Sequence, residues 1–503
     1  MTCFQPRPLG SRIPDRLHAV SCSLPTMRDV IGYEEKDAAT IQHMSSGYPR
    51  FVIHPMLVTI ERAWAAREGL QDAALWMVGS RRMAERLVAH IAPERACIHE
   101  HDGIVGVSHR DDLALRKRAR SFLQHTGGFL SSRAAESYCV AHGLAQPGPA
   151  EEMFSGDAAA EVRNTMSRLI GVEGPDDVLL APSGMNAFFS AFCAVNALQR
   201  PAGRDLWLQI GWLYLDTGAI LTKLTDGRQV CLFDVQDRAA IEAAFAQHGP
   251  RLAGVVTEIT TNPLMQTPDL PWLAALARHH GALMLVDPTI TSPFNVDVAP
   301  HADIVLNSLT KYAAADGDVI AGAVAVTRRC PNRERVRAAI AAELEPVDAR
   351  DLARLAAQIG AYETLLPRLN ANAAAVIDHL LRRRHGVRRV FWSGQIGSRE
   401  NYQALARGPD RIGPVLSFEI DGAMAPFYDA LPLAKGPSFG MRTTLICPFI
   451  YLAHYDLVTS TDGRKALRDA GVPVDLLRLS VGDEPAEEII AALEMGFAAA
   501  GLG

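Results

Sequence analysis

Two short apolar runs, each ending on a chemically reactive side chain, restrict what this chain can fold into more than any other feature. The first is Leu283-Met284-Leu285-Val286, closed by Asp287-Pro288-Thr289. The second is Ala302-Asp303-Ile304-Val305-Leu306-Asn307, closed by Ser308-Leu309-Thr310-Lys311. A short, mainly apolar run is the pattern of a strand buried on both faces of a parallel sheet. Residues just beyond the carboxyl ends of such strands face the ligand crevice. Successive strands therefore deliver a carboxylate, Asp287, and an amine, Lys311, to one edge of the sheet. That pair meets the requirements of pyridoxal 5'-phosphate. The amine condenses with its aldehyde, and the carboxylate keeps its ring nitrogen protonated so that the ring draws electrons.

Lysine is scarce here: Lys36, Lys117, Lys223, Lys311, Lys435 and Lys465 are the whole set, and only Lys311 follows such a strand. With 503 residues the chain has room for about two to three domains with full cores. Its 48% hydrophobic and 21% charged residues are globular proportions rather than disordered ones. A net charge of −6 and a pI near 6.2 supply no general attraction for nucleic acid or an anionic membrane. The eight cysteines are scattered without a Cys-x-x-Cys. That spacing predicts reduced thiols in a cytoplasmic protein, with neither a disulfide scaffold nor a metal site. No apolar run follows the basic residues at the N-terminus, so no secretory signal is expected. No stretch reaches the ~18 apolar residues of a spanning helix.

The residues around Asp287 and Lys311 resemble the cystathionine γ-synthase family, the Cys/Met-metabolism group of pyridoxal-phosphate enzymes. The shared pattern is Asp-x-Thr after one strand, Ser-x-Thr-Lys-Tyr after the next, and Gly317-Asp318-Val319-Ile320-Ala321-Gly322 beyond. The leader resembles that of the fungal type, through Ile13-Pro14-Asp15-Arg16-Leu17-His18-Ala19-Val20-Ser21, Gly32-Tyr33-Glu34-Glu35 and Gly47-Tyr48-Pro49-Arg50-Phe51. The resemblance implies an α/β protein of the type I pyridoxal-phosphate fold. Such a fold has a mostly parallel, seven-stranded sheet flanked by helices, with a smaller α+β C-terminal domain. The expected divisions are an N-terminal arm and helical extension over 1–150, the cofactor-binding domain over 151–347 and the small domain over 348–503.

Several segments take expected roles in chain order. Apolar spacing from Val58 to about Ile91 predicts a helical layer on the catalytic domain. Arg133, in Gly127-Gly128-Phe129-Leu130-Ser131-Ser132-Arg133, fits a family arginine that reaches a neighbouring subunit's cofactor phosphate, which implies a homodimer or homotetramer. Ser131 stands where the family carries tyrosine, a departure that loses the aromatic reach. The turn Ser183-Gly184-Met185, between a strand and a helix, matches the family's phosphate loop, and helix N-termini suit phosphate. Tyr214 is assigned to stack on the cofactor ring, with Trp212 as rival. Asn262, in Glu258-Ile259-Thr260-Thr261-Asn262-Pro263, corresponds to the asparagine that donates to the cofactor's phenolic oxygen. Ser308 and Thr310 join the phosphate ligands. Later, Ser438 in Gly436-Pro437-Ser438-Phe439-Gly440 and Arg478 in Arg478-Leu479-Ser480-Val481-Gly482 match the segments that hold a substrate α-carboxylate. An arginine on an apolar strand needs an anionic partner, which here is either the substrate or an internal acid.

By this resemblance the substrate is a small amino acid. Lys311 shuttles protons, Asp287 controls the ring nitrogen, and Tyr214 assists near the γ-carbon. The implied reaction is γ-substitution of an O-activated homoserine with cysteine to give cystathionine. A sulfhydrylase or a γ- or β-lyase would use the same residues, because the pocket only decides which bond breaks. A non-catalytic homologue kept for assembly is the alternative of another class.

Overall fold

The computed structural model of the chain describes residues 4–49, 52–92, 94 and 96–503. Cys3, and Arg50 and Phe51 of the 47–51 run, lie outside the described residues.

The strand-ending residues are organised by a seven-stranded sheet. Its spatial order is Val178–Ala181, Gly322–Val326, Ile304–Ser308, Leu283–Asp287, Leu252–Glu258, Leu206–Ile210 and Gln229–Leu232. Every neighbouring pair is parallel except those of Gly322–Val326, which runs against both its partners. Side chains alternate across such a strand, and the two faces enter different cores. Leu285, Ile304 and Leu306 pack with Phe188 and Phe192 of helix Gly184–Gln199. Met284, Val286 and Val305 pack with Leu273 and Ile359 on the opposite face. Burial on both faces is why these strands read as unbroken apolar runs. The edge strand Gln229–Leu232 is only partly buried, so its sequence carries no such run.

The C-terminal part is a five-stranded sheet in the order Val387–Phe391, Val415–Ile420, Leu476–Ser480, Leu445–Pro448 and Ala434–Lys435. Helices Tyr362–Arg382 and Ala486–Ala499 pack together and share its core. The helical pattern expected from Ile359 to His379 divides after Ile359, where helix Ala349–Ile359 ends, and resumes at Tyr362.

The stretch from Val58 to Ile91 is not wholly helical. Helices Pro55–Glu68 and Arg81–Ile91 flank a strand, Ala73–Val78, in an antiparallel sheet with Ile104–Arg110 and Ala96–His101. Gly69 ends the first helix at φ 69°, a left-handed conformation that glycine adopts without a Cβ clash. The run Ala73-Ala74-Leu75-Trp76-Met77-Val78 that follows has no helical period. It buries against Trp64, Leu87 and Phe122 in a core of its own.

The segment before this unit lies along the body. Arg12–Ile13 pairs with Ser21–Cys22. The Val20 N–H donates to the Gly317 carbonyl at 2.9 Å, and the Tyr48 N–H donates to the Val20 carbonyl at 3.1 Å. This stitching carries residue 48 to the carboxyl edge of the large sheet.

Candidate active site

All the strands of this sheet but Gly322–Val326 run the same way and end at that edge, and the cavity beyond them is lined by Ser183, Gly184, Met185, Tyr214, Asn262, Asp287, Ser308, Lys311 and Arg478. With Arg133, which lines it too, ten of the expected site residues, drawn from positions 133 to 478, meet in one place. Thr310 and Ser438 lie immediately behind them.

Lys311 is buried, and its amine donates to Ser438 Oγ at 3.1 Å. It lies 4.4 Å from the ring centre of Tyr48 and 4.7 Å from that of Phe439. Among the described residues no carboxylate pairs with it. Burial, reinforced by the charge of Arg478, moves its pKa well below the ordinary lysine value. A neutral amine is the nucleophilic form, and it is also a proton acceptor. Gly440 presses against this lysine: a Cβ there would come within 3.0 Å of Lys311 Cβ, and Gly440 has φ +73°. Its carbonyl accepts from the Tyr312 N–H at 2.8 Å, so the 436–440 loop is seated directly on the lysine.

Asp287 ends the neighbouring strand, and its Oδ1 accepts the Thr289 N–H at 2.8 Å. Glu258 lies beside it in register on the next strand. Burial raises Asp287 to about 6 against the opposing hydrogen bonds from Thr289. Glu258 is raised well above the usual range by burial and then by the Asp287 charge. Its Oε1 accepts the Tyr214 N–H at 2.5 Å. Of two acids buried side by side Glu258 holds its proton the more firmly, which leaves Asp287 as the carboxylate that a cation placed beside it would stabilise. Tyr214 lines the cavity, whereas Trp212 stacks on Phe233 at 4.4 Å and lies outside the lining.

At the other end of the cavity, Ser183 caps helix Gly184–Gln199 by accepting the Asn186 N–H at 3.0 Å. Gly184 and Met185 open that helix, whose first N–H groups have no partner within it. Space is tight here. A Cβ on Gly184 would sit 2.9 Å from Ser308 Cβ, and one on Gly322 would sit 2.4 Å from the Ser183 carbonyl oxygen. The Ser308 N–H donates to Thr289 Oγ1 at 2.9 Å, and Thr310 Oγ1 accepts the Ala321 N–H at 3.1 Å. Hydroxyls and backbone donors gathered at a helix N-terminus suit a phosphate dianion. The site thus offers a buried amine whose pKa is lowered, an acid pair and an anion cradle, and this donor set fits pyridoxal phosphate.

Arg478 is 4% exposed and lies between the rings of Phe439 and Phe449, at 5.2 and 4.6 Å. Its Nη2 donates to the Pro437 carbonyl at 2.7 Å, and its Nη1 donates to Asn262 Oδ1 at 3.3 Å. Among the described residues it has no carboxylate partner. A buried guanidinium satisfied only by neutral acceptors retains affinity for an anion.

Arg133 also lines this cavity, and acidic side chains of the chain surround it. Its guanidinium donates to Glu151 at 2.6 and 2.9 Å, to Asp351 at 2.8 Å and to the Asp318 carbonyl at 2.8 Å. Burial opposes its charge, but Glu151 and Asp351 more than offset that and hold its pKa above the ordinary value. Two carboxylates neutralise this arginine and tie the segment after Leu130 to helix Ala349–Ile359. Ser131 caps helix Ser132–Ala141 through the Ala134 N–H. Tyr48, Glu258, Phe439 and Phe449 also line the cavity without having been expected as site residues. Only Glu258 carried a signal of the kind that revealed Asp287, an acid at the carboxyl end of an apolar strand.

The sequence profile of the Cys/Met metabolism PLP-dependent enzymes matches residues 158–498. The chain is 38% identical over 498 residues to the L-2-amino-4-chloropent-4-enoate dechlorinase/desaturase of Streptantibioticus cattleyicolor, covering 99% of both chains. It is 26% identical to the cystathionine gamma-synthase of Neurospora crassa, covering 96% of this chain and 97% of the relative. A solved cystathionine gamma synthase from Xanthomonas oryzae, in complex with aminoacrylate and cysteine, shares the fold. It has a TM-score of 0.57 and 24% identity, covering 71% of this chain and 89% of that one. With this match and a site that fits the cofactor, the chain belongs to the Cys/Met metabolism family of pyridoxal-phosphate-dependent enzymes.

Proposed function

We propose that this enzyme breaks a bond at the γ-carbon of an amino acid whose leaving group is small and uncharged in the pocket, such as a halide or an acetate ester. The carrying observation is the electrostatics of the cavity wall. Lys311 and Arg478 are committed to the cofactor and the α-carboxylate, and Arg133 is already neutralised by Glu151 and Asp351. The remaining wall includes Phe439, Phe449, Leu452 and Leu123. Among the described residues that wall offers the anion of a succinyl or phosphoryl leaving group no uncommitted guanidinium or ammonium, at a cost of several kcal/mol. The dechlorinase/desaturase named above, related over its whole length, agrees with a halide.

Each residue then has one task. The cofactor, when bound, supplies an electron sink for charge left on the substrate. Arg478 grips the α-carboxylate while Asn262 steadies the guanidinium from behind. The neutral amine of Lys311 takes the α-proton and carries it, with Ser438 fixing the direction of the Nζ. Asp287 holds the proton at the ring nitrogen, supported by Thr289. The Tyr48 and Phe439 rings keep water from the amine.

A second reading is cystathionine formation from an activated homoserine and cysteine, favoured by the arm and by the Neurospora crassa relative. One substrate panel separates them: L-2-amino-4-chloropent-4-enoate and O-acetyl-, O-succinyl- and O-phosphohomoserine, each with and without cysteine. The proposal expects chloride release without thiol, and O-acetyl over O-succinyl by at least ~100-fold in kcat/KM. Preferred use of the succinyl or phospho ester would overturn it. Cystathionine from the acetyl ester, with no chloride release, would select the second reading.

A further inference from the structure

We infer that Asp216 determines which γ-substituents the pocket accepts, by fixing a negative charge in its wall that turns anionic groups away. The inference rests on the reading of this cavity as the site of γ-bond cleavage, and it adds an active repulsion to that reading.

Asp216 is 1% exposed, lines the cavity and belongs to the first turn of helix Leu215–Lys223. Its Oδ1 accepts from the Gln124 amide at 2.8 Å and from His125 Nδ1 at 2.9 Å. Gln124 lines the cavity beside Leu123, so the carboxylate borders the wall against which the leaving group is proposed to sit. His125 is buried, and its Nε2 bonds the Lys223 ammonium at 2.9 Å. An ammonium can only donate, so Nε2 is the acceptor, Nδ1 carries the hydrogen and the imidazole is neutral. A line of hydrogen bonds thus runs from exposed Lys223 through His125 to a carboxylate in the cavity wall.

The links of this line favour the ionised form of Asp216. Two N–H groups donate to one of its oxygens, and donors stabilise a carboxylate over the protonated acid. The first turn of a helix favours an anion and its last turn a cation, and Asp216 and Lys223 occupy those two places. The ammonium lies at the surface behind the imidazole, so a ligand in the cavity meets the negative end of the line first. The other acids of the lining are placed differently. Asp318 and Asp351 are ion-paired with Arg354 and Arg133, and Asp287 and Glu258 stand together at the ends of their strands. In a buried site a like charge a few ångströms away weakens binding by about tenfold or more.

The test uses the full-length holoenzyme and two ligands alike in size, L-glutamate and L-glutamine, which carry on the γ-carbon a carboxylate or its neutral amide. Kd is read from the change each produces in the cofactor absorbance. The inference predicts that wild type binds L-glutamine at least ~100-fold more tightly, and that Asp216→Asn cuts this preference about tenfold while keeping an acceptor for Gln124 and His125. Lys223→Met, at an exposed position, removes the cation at the far end and should leave the preference as large as in wild type or larger. That contrast is the signature of charge, because a general loosening of the wall would relax the preference in both variants. An unchanged preference in Asp216→Asn, or a fall in Lys223→Met, would overturn the role of Asp216 and leave the reading of the cavity standing. If Asp216→Asn fails to load cofactor, the direction of the shift in Lys223→Met decides alone. A wild type that favours L-glutamate, or that does not bind L-glutamine, would sink the exclusion of anions and the underlying reading together.

Discussion

Replacing Arg478 with methionine should move activity and stability in opposite directions. In the cofactor-free protein the guanidinium is buried between two aromatic rings and donates to the Pro437 carbonyl and Asn262 Oδ1, with the Cys447 thiol also beside it. An arginine offers five donors, so the rest remain for an incoming carboxylate. Losing a desolvated, bidentate charge pair costs about 3 kcal/mol, within the 2–5 range found for such pairs, which is roughly 10²-fold in kcat/KM. Folding stability should respond otherwise. Methionine removes a buried cation that, among the described residues, has no ion-paired carboxylate, whereas two neutral acceptors lose one donor each, at about 1 kcal/mol apiece. The cofactor-free variant should therefore melt no lower than wild type. The assay pairs calorimetry with kinetics on a substrate and its α-carboxamide. Wild type should reject the amide by about the same 10²-fold, and the variant should hardly distinguish the two. A variant that melted more than ~5 °C lower and still rejected the amide would make Arg478 an internal structural cation, refuting its role as the carboxylate site.

Two further outcomes follow from the same structure. His18 is buried against Ser132 and Glu136 and stacked on His54, and burial, followed by the charge of Arg133, lowers its pKa to about 4. The unfolded chain binds that proton near pH 6.5, so stability is full above 6.5 and declines as pH falls toward 4, by up to ~3 kcal/mol. Melting temperatures between pH 7.5 and 4.5 should show this decline, and His18→Gln should flatten it. Gly322→Ala should disturb the phosphate turn, because its Cβ would lie 2.4 Å from the Ser183 carbonyl oxygen and 2.7 Å from the Gly184 nitrogen. Cofactor affinity should drop about tenfold with a stability loss of about 1–3 kcal/mol, measured by titration and melting.

What could be read in the amino-acid order depended on how far apart the interacting residues lie. Asp287 and Lys311 are legible because a buried parallel strand writes its own signature and the crevice lies where that signature ends. Arg478 stands out because a charge in an apolar run demands explanation. The ion pairs of Arg133 were not legible, since its partners Glu151 and Asp351 lie 18 and 218 residues away and only the fold brings them together. The strand Ala73–Val78 was hidden between two helices whose apolar spacing set the expectation for the whole stretch. Tyr48 lies more than two hundred residues before the lysine it covers, and no local pattern marks such a long-range contact.

Borohydride reduction of the purified protein, followed by peptide mass mapping, tests the central claim most directly. The account predicts one reduced cofactor adduct, on the peptide carrying Lys311, and loss of both adduct and turnover in Lys311→Ala. An adduct on Lys435 or another lysine, or turnover that survives Lys311→Ala, would contradict it.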